Sequence, residues 1–198
     1  MIQFKEIEKS EPYKKLQDYY LSAIESNQES IDAILIASYA SKSSEVDARY
    51  VNLKIVDGNK FIFFSNYKSA KSFQFENHPQ ISAVLFWSNI NIQIRMKAII
   101  SRISLKSSDE HFINRSNKKN ALAISSRQSH VIDSYDHVLE KYTNTLKNNS
   151  LDKRPDYWGG YSFTPYYFEF WAGNENRVNK RESYELINGN WHSYILQP

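Results

Sequence analysis

Short runs of alternating or continuous apolar residues, bounded by turn residues, dominate the chain. Ala33–Ala40 is a short apolar run. Arg49–Val56 and Phe61–Ser65 flank Asp57-Gly58-Asn59, and Ile81–Trp87 and Ile92–Ser104 follow, the last long and alternating. Period-two runs rich in β-branched and aromatic residues fit a pleated surface, and Asp-Gly between two of them predicts a tight hairpin. After Arg154-Pro155 the strand pattern returns at Tyr161–Phe163, Tyr167–Ala172, Arg181–Ile187 and Trp191–Leu196, with Asn188-Gly189-Asn190 turning the last pair.

A helical period governs other stretches. Residues 11–26 place Tyr13, Leu16, Tyr20 and Ile24 on one face, with Ser10 as the expected cap and Pro12 in the first turn. Ser69–Asn77 reads as a short helix. Ser107-Ser108-Asp109-Glu110 has the capping-box spacing, opening a helix to about Arg115, and further helices are expected over Asn120–Ser126 and Ser134–Asn148. Strands joined by hairpins, with helices at the start and in the middle, predict an α+β domain: a closed or partly closed antiparallel barrel with packed helices. The 198 residues suit one domain, with 1–30 as an N-terminal helical segment and 155–198 as the strands that complete the barrel.

Composition narrows the chemistry. The chain has no cysteine, which excludes disulfides, thiolate metal sites and a cysteine nucleophile. Its five glycines (Gly58, Gly159, Gly160, Gly173 and Gly189) match no G-x-G-x-x-G or G-x-x-x-x-G-K-S/T spacing. A phosphate held here must therefore be held largely by side chains. The net charge of +3, with no basic run longer than two residues, gives no reason to expect nucleic acid. The N-terminal residues contain no long apolar stretch, so neither a signal peptide nor a membrane span is expected, and the reading is a soluble, cytoplasmic protein.

The five histidines form no H-E-x-x-H or i,i+4 pair, so no metal site is expected. Nor is there a G-x-S-x-G nucleophile elbow. Cations on or beside strands remain. Arg49 and Lys54 bracket Tyr50-Val51-Asn52-Leu53 at an odd separation that an ideal strand would turn to opposite faces; a twist, a bulge or different partners would be needed to use both. Lys71 sits at a strand-to-helix junction, where backbone N–H groups add to its charge. Trp158-Gly159-Gly160-Tyr161 and Glu169-Phe170-Trp171-Ala172-Gly173 bring glycines beside tryptophans, and Arg177 and Arg181 follow: flat aromatic surface and guanidinium forks that suit a planar phosphorylated ligand.

Taken in order, these segments resemble the pyridoxine/pyridoxamine 5′-phosphate oxidase family. The resemblance runs from about Pro12 to Pro198. It rests on Arg49-Tyr50-Val51-Asn52-Leu53-Lys54, Phe63-Phe64-Ser65-Asn66-Tyr67-Lys68-Ser69-Ala70-Lys71, Asn77-His78-Pro79 and Gln93. Ser126-Arg127-Gln128-Ser129, the two tryptophan segments, Arg177-Val178-Asn179-Lys180-Arg181 and Leu196-Gln197-Pro198 complete it. The resemblance implies an FMN-binding split barrel that forms a homodimer with flavin at the interface. It implies that Arg49, Tyr50, Val51, Asn52, Lys54, Phe64, Ser65 and Lys71 contact the flavin from one subunit, and that Gln93, Gln128, Ser129, Trp171 and Arg181 complete the site, several from the other. Lys54, His111, Arg115 and Lys119 would grip the phosphate of a small aromatic substrate, and Arg177 and Asn179 would act at its ring. The implied reaction is hydride transfer from the substrate's 4′ carbon to the flavin, with molecular oxygen as final acceptor, yielding pyridoxal 5′-phosphate and hydrogen peroxide.

Four positions depart from the family pattern. Ala70 replaces an arginine, with Lys68 nearby as a substitute; His111 replaces a tyrosine; Lys119 replaces a serine; Asn179 replaces a histidine and cannot carry a proton. Most of these changes fall on the substrate side. They leave two alternatives beside the leading reading: a flavin oxidase of the phenazine-biosynthesis kind acting on another substrate, and a flavin- or pyridoxal-phosphate-binding protein without turnover.

Overall fold

The computed structural model describes residues 1–148 and 150–198. Its strands are β1 (Gln3–Lys5), β2 (Ala33–Ala40), β3 (Glu45–Asp57), β4 (Lys60–Asn66), β5 (Gln80–Trp87), β6 (Ile92–Arg102), β7 (Trp158–Ala172), β8 (Lys180–Ile187) and β9 (Asn190–Leu196). Its helices are α1 (Glu11–Glu25), α2 (Ala70–Asn77), α3 (Leu105–Ile113), α4 (Asn117–Ser125) and α5 (Tyr135–Asn148). The protein is therefore α+β, with all nine strands in one sheet. No helix among the described residues is long and apolar enough to cross a membrane.

The strand pairings return on themselves. β3 pairs with β2, β2 with β5, β5 with β6, β6 with β7, β7 with β4, and β4 with β3, every step antiparallel. Two long strands make this possible by changing partner along one edge. Residues 158–163 of β7 pair with β4 and residues 167–172 with β8. Pro165 falls between these stretches, beside the register shift at Lys97/Ala98, a place where a strand tolerates a residue without an N–H. The sequence pattern shows two strands here because the proline interrupts it; the structure has one.

Inside this circuit the apolar residues interlock. Phe61, Phe63, Phe163 and Phe168 are fully buried, and Phe61 stacks on Phe163 with ring centres 5.0 Å apart. Helix α1 contributes Tyr13, Leu16, Tyr20 and Ala23, with Tyr13 edge-on to Phe168 at 5.1 Å. Ile24, expected on this face, is exposed because Ala23 takes the inward position. Ser10 stands at the N-cap, but its hydroxyl donates to Glu8 instead of accepting from the helix. Helix α3 begins earlier than the capping-box spacing indicates. Ser104, not Ser107, is its cap, accepting from the Ser107 backbone N–H at 3.1 Å. The Gly58-Asn59 and Asn188-Gly189 turns form as expected, with left-handed backbone at Gly58, Asn188 and Gly189. The parallel strand β1, unexpected from so short a run, extends the β3 edge beyond β2.

Candidate functional site

A second, smaller apolar cluster under α3 and α4 builds the first part of the site. Phe112, Ala123 and Trp158 are buried there, with Phe64, Ile124 and Tyr157 packed against them. Above it the His111 imidazole lies flat on Phe64, ring centres 3.6 Å apart and planes 5° from parallel, and Trp158 lies alongside Phe64, 5.4 Å from it and 6.4 Å from the imidazole, with all three rings near parallel. The Arg115 guanidinium covers Trp158 at 4.3 Å and donates through Nη2 to the Lys119 carbonyl at 3.2 Å. Its Nη1 is buried with no hydrogen-bond partner among the described residues. Burial lowers Arg115 to about 10, still charged at neutral pH. His111 is lowered to about 4 by burial and then by the charges of Arg115, Lys54, Lys119 and Lys5. Lys54, His111, Arg115 and Lys119, expected to act together, are thus brought together around an aromatic floor. A buried, unpaired guanidinium N–H among cations is a donor set for an anion.

Lys54 reaches this cluster through a bulge. The β3–β4 register shifts between Leu53 and Ile55, leaving Lys54 as the extra residue. Its Nζ donates to Asp32 Oδ2 at 2.7 Å. Burial pushes the Asp32 carboxyl up, but the hydrogen bond and charge of Lys54 outweigh it and hold the group below the usual range. The bulge and the separate partners resolve the odd spacing of Arg49 and Lys54: the two cations serve different places.

Arg49 lies against α2. It donates to Ile36 O and Ser38 Oγ through Nη1 (3.2 and 2.6 Å), and to Gln74 Oε1 at 2.7 Å and Asp47 through Nη2. Nearby Lys71 is buried, and its one hydrogen bond among the described residues is a long one to Ser69 Oγ, 3.4 Å. Burial and then the Arg49 charge lower Lys71 to about 8. A buried lysine with spare donors, beside an arginine at the start of a helix, fits a phosphate group. Ala70 is exposed and adds no charge there, and Lys68 lies over the Tyr157 ring at 5.6 Å. Ser65 is buried at the end of β4 and donates to Gln128 Oε1 at 3.3 Å, while Ser129 has left-handed backbone in the exposed segment after α4. That segment borders a cavity of about 620 Å³.

The remaining ring-edge candidates form a row. Gln93 pairs with Trp171 across β6 and β7, and Trp171 with Arg181 across β7 and β8, so the three side chains share one face of the sheet. Two residues along β7, Glu169 is 2% exposed and accepts from Arg181 Nε at 3.0 Å and from the Tyr167 hydroxyl at 3.0 Å, with Arg95 Nη2 3.3 Å away. Glu169 was not among the expected site residues. Its signal is a carboxylate inside an apolar strand, on the face of Trp171 and opposite the arginines. Asp32, Ser38 and Gln74 were likewise missed; they hold the cations and carry no motif of their own.

Tyr50 and Asn52 are exposed on β3, and Val51 packs against the core. Arg177 is exposed with left-handed backbone, and Asn179 accepts from the Asn174 N–H at 3.0 Å, closing the loop before β8. Neither shares a hydrogen bond or ion pair with the His111 cluster in the single chain, among the described residues.

Fold and site together define an α+β protein with two cation-lined places suited to phosphate groups, each beside aromatic surface. Comparison with known proteins narrows this. Residues 158–198 match the family model described as the pyridoxine 5′-phosphate oxidase C-terminal dimerisation region. The chain is 32% identical over 191 residues to the pyridoxine/pyridoxamine 5′-phosphate oxidase of Rippkaea orientalis, covering 95% of this chain and 90% of that one. It is 34% identical over 191 residues to the enzyme of the same name from Aliarcobacter butzleri, with 94% and 89% covered. In fold it is similar to PhzG from Burkholderia lata, solved in complex with tetrahydrophenazine-1-carboxylic acid: TM-score 0.90, 23% identity, 96% of this chain and 93% of that one. A pyridoxamine 5′-phosphate oxidase-related, FMN-binding protein from Nostoc punctiforme superimposes with a TM-score of 0.79 at 13% identity, covering 96% and 99%. The chain belongs to the pyridoxine/pyridoxamine 5′-phosphate oxidase family.

Proposed function

We propose that the protein is an FMN-dependent oxidase of pyridoxine and pyridoxamine 5′-phosphates, releasing pyridoxal 5′-phosphate and hydrogen peroxide with molecular oxygen as acceptor. It would work as a homodimer of FMN-binding split-barrel subunits in the cytoplasm. The observation that carries this reading is the buried, unpartnered Arg115 Nη1 among Lys54, His111 and Lys119, over the Phe64–Trp158 floor. It is a place for the phosphate of a small aromatic substrate.

In this reading Arg49 and Lys71 hold the flavin phosphate, with Ser65, Gln128 and Ser129 close by. Tyr50, Val51 and Asn52 line the β3 side, and Gln93, Trp171 and Arg181 form the row against which a second subunit's flavin lies. Bound FMN supplies the hydride acceptor and the reaction with oxygen. The chain's own residues bind and orient. Lys54, Arg115 and Lys119 fix the substrate phosphate, leaving the ring to be placed by aromatic surface and by Arg177 from its exposed loop. Asn179 fixes that loop through Asn174 and carries no titrating proton, so it positions and does not act as a base.

The test is the absorbance spectrum of the purified protein under anaerobic conditions. A flavin band that bleaches with pyridoxine or pyridoxamine 5′-phosphate, and returns with oxygen and peroxide, is the expected result. Protein that takes up no FMN overturns the reading. The departures at Asn179, His111 and Lys119 motivate one alternative: an oxidase of a reduced polycycle of the kind bound in the Burkholderia lata structure. Bleaching by such a compound and not by the phosphorylated vitamers would select it; a yellow protein that neither reduces would be a binding protein.

A further inference from the structure

We propose that His111 makes its anion site proton-coupled: when a phosphomonoester or other dianion binds among Lys54, Arg115 and Lys119, the imidazole takes up a proton, and the site tightens as the pH falls. This rests on the reading of that cluster as the substrate-phosphate place.

The argument starts from what surrounds the ring. Phe64 from β4 and Trp158 from β7 offer only aromatic faces below it. The charges that weigh most on it are positive: Arg115 beyond α3, Lys54 from β3, Lys119 from α4 and Lys5 from β1. Of the carboxylates on the neighbouring elements, Asp32 pairs with Lys54 at 2.7 Å and Asp109 with Arg154 at 2.6 Å, while Glu110, next to His111 on α3, is exposed. Burial and these four cations keep the imidazole neutral at pH 7, lowered to about 4. A dianion placed there reverses the local potential, and a nearby opposite charge favours the protonated ring. Imidazole plus a solvent proton becomes imidazolium, both ring nitrogens then donate, and no other atom changes. Tyrosine, the usual residue of the family, has no such titration near neutrality. The substitution therefore changes how the site responds to pH while keeping a flat ring and a donor.

Sulfate is the probe, because phosphate itself titrates near pH 6 while sulfate stays a dianion. The imidazole C2 proton of His111 is followed by NMR on the full chain from pH 4 to 8.5, with and without sulfate, the His111→Tyr spectrum assigning the signal. The expected midpoint lies well below the ordinary histidine value without sulfate and at least one unit higher with it. Calorimetry should find sulfate bound at least about threefold tighter at pH 4.5 than at pH 6.5, as follows from a one-unit rise starting at about 4, and equally at both in His111→Tyr. Arg115→Gln should abolish the sulfate-induced shift. A His111 midpoint unmoved by saturating sulfate, a pH slope that persists in His111→Tyr, a full shift retained in Arg115→Gln, or no sulfate binding at all each overturns the inference. None of these readouts involves flavin or turnover. An active oxidase that fails them loses only this inference, and a chain that passes them without oxidising any vitamer loses only the oxidase reading.

Discussion

Glu169 takes both Nε and Nη2 of Arg181 on a single carboxylate oxygen, at 3.0 and 2.9 Å, while its other oxygen faces Tyr167 and Arg95. Arg181 also donates through Nη1 to the Gln197 carbonyl at 2.8 Å, so one guanidinium links β7, β8 and the C-terminal residues. Its orientation in the Gln93–Trp171–Arg181 row is fixed by this buried carboxylate. Glu169→Gln removes the charge but not the shape, leaving buried donors poorly matched. The expected outcome is a loss of about 1–3 kcal/mol in urea unfolding. FMN binding, followed by flavin fluorescence quenching, should weaken about tenfold, a factor worth about 1.4 kcal/mol. Unchanged flavin affinity would mean that Arg181 keeps its place without Glu169.

If Lys71 holds the flavin phosphate as proposed, flavin binding should have a limit on the alkaline side. Burial and the Arg49 charge lower it to about 8, so below that pH the ammonium is present and above it the amine must gain a proton to meet a phosphate. FMN affinity should fall about twofold from pH 7 to 8 and about tenfold by pH 9, approaching the slope of one proton per ligand. The sign for folding is opposite. The folded pKa lies below the unfolded one, so the unfolded chain holds more protons between about 8 and the ordinary lysine value, and stability rises with pH across that window. Lys71→Met should bind FMN more weakly with a flatter dependence; an equal slope in the variant would assign the proton to another group.

Much of this architecture is legible in the sequence because it rests on local signals. Asp57-Gly58-Asn59 and Asn188-Gly189-Asn190 mark their turns through residues that accept left-handed backbone, and the alternation of Ile92–Arg102 follows from one face being buried. The cations Lys54, Arg115 and Lys119 were recognisable by family position. Their common focus on His111 depends on a bulge at Lys54 that has no composition signal. The same holds for the parallel strand β1 and for Ser104, which caps α3 in preference to Ser107 because α3 starts directly after the β6 end. Glu169 shows in the sequence only as a carboxylate inside an apolar strand, and Asp32 and Gln74 show nothing, because they act on cations that only the fold brings to them.

Gly160 tests how tightly β7 packs beneath α3. A Cβ there would stand 2.3 Å from Ile103 Cδ1 and 3.0 Å from Phe64 Cε1. Gly160→Ala should cost about 1–3 kcal/mol through overpacking. Adding Ile103→Val, which removes the obstructing methyl, should recover part of the loss in urea titrations. Gly58→Ala meets no neighbour within 4 Å, and its cost comes from the left-handed backbone alone, about 1 kcal/mol.

Asn120 ties the two helices of the anion site to the following chain. Its buried amide donates to Phe112 O at 3.0 Å and Leu151 O at 2.8 Å. Asn120→Ala removes both bonds; Phe112 O keeps the Arg115 backbone N–H at 3.1 Å while Leu151 O loses the Asn120 donor, and the change should cost about 1–3 kcal/mol. With Arg115 no longer held in register, the KM for a phosphorylated substrate should rise more than kcat falls; an unchanged KM would place Asn120 outside the site's support.

Strand β4 pairs on both edges, with β3 and with β7, and its successive residues Phe64 and Ser65 serve different clients. Phe64 lies under His111, and Ser65 donates to Gln128. Because neighbouring strand residues face opposite ways, this seven-residue strand acts as a party wall between two compartments. Sliding it by one residue would hand each compartment the other's side chain, and pairing on both edges forbids that slide. The two proposed phosphate places could therefore diverge independently in sequence, one keeping Arg49 and Lys71 while the other carries His111 and Lys119, so long as the wall itself does not move.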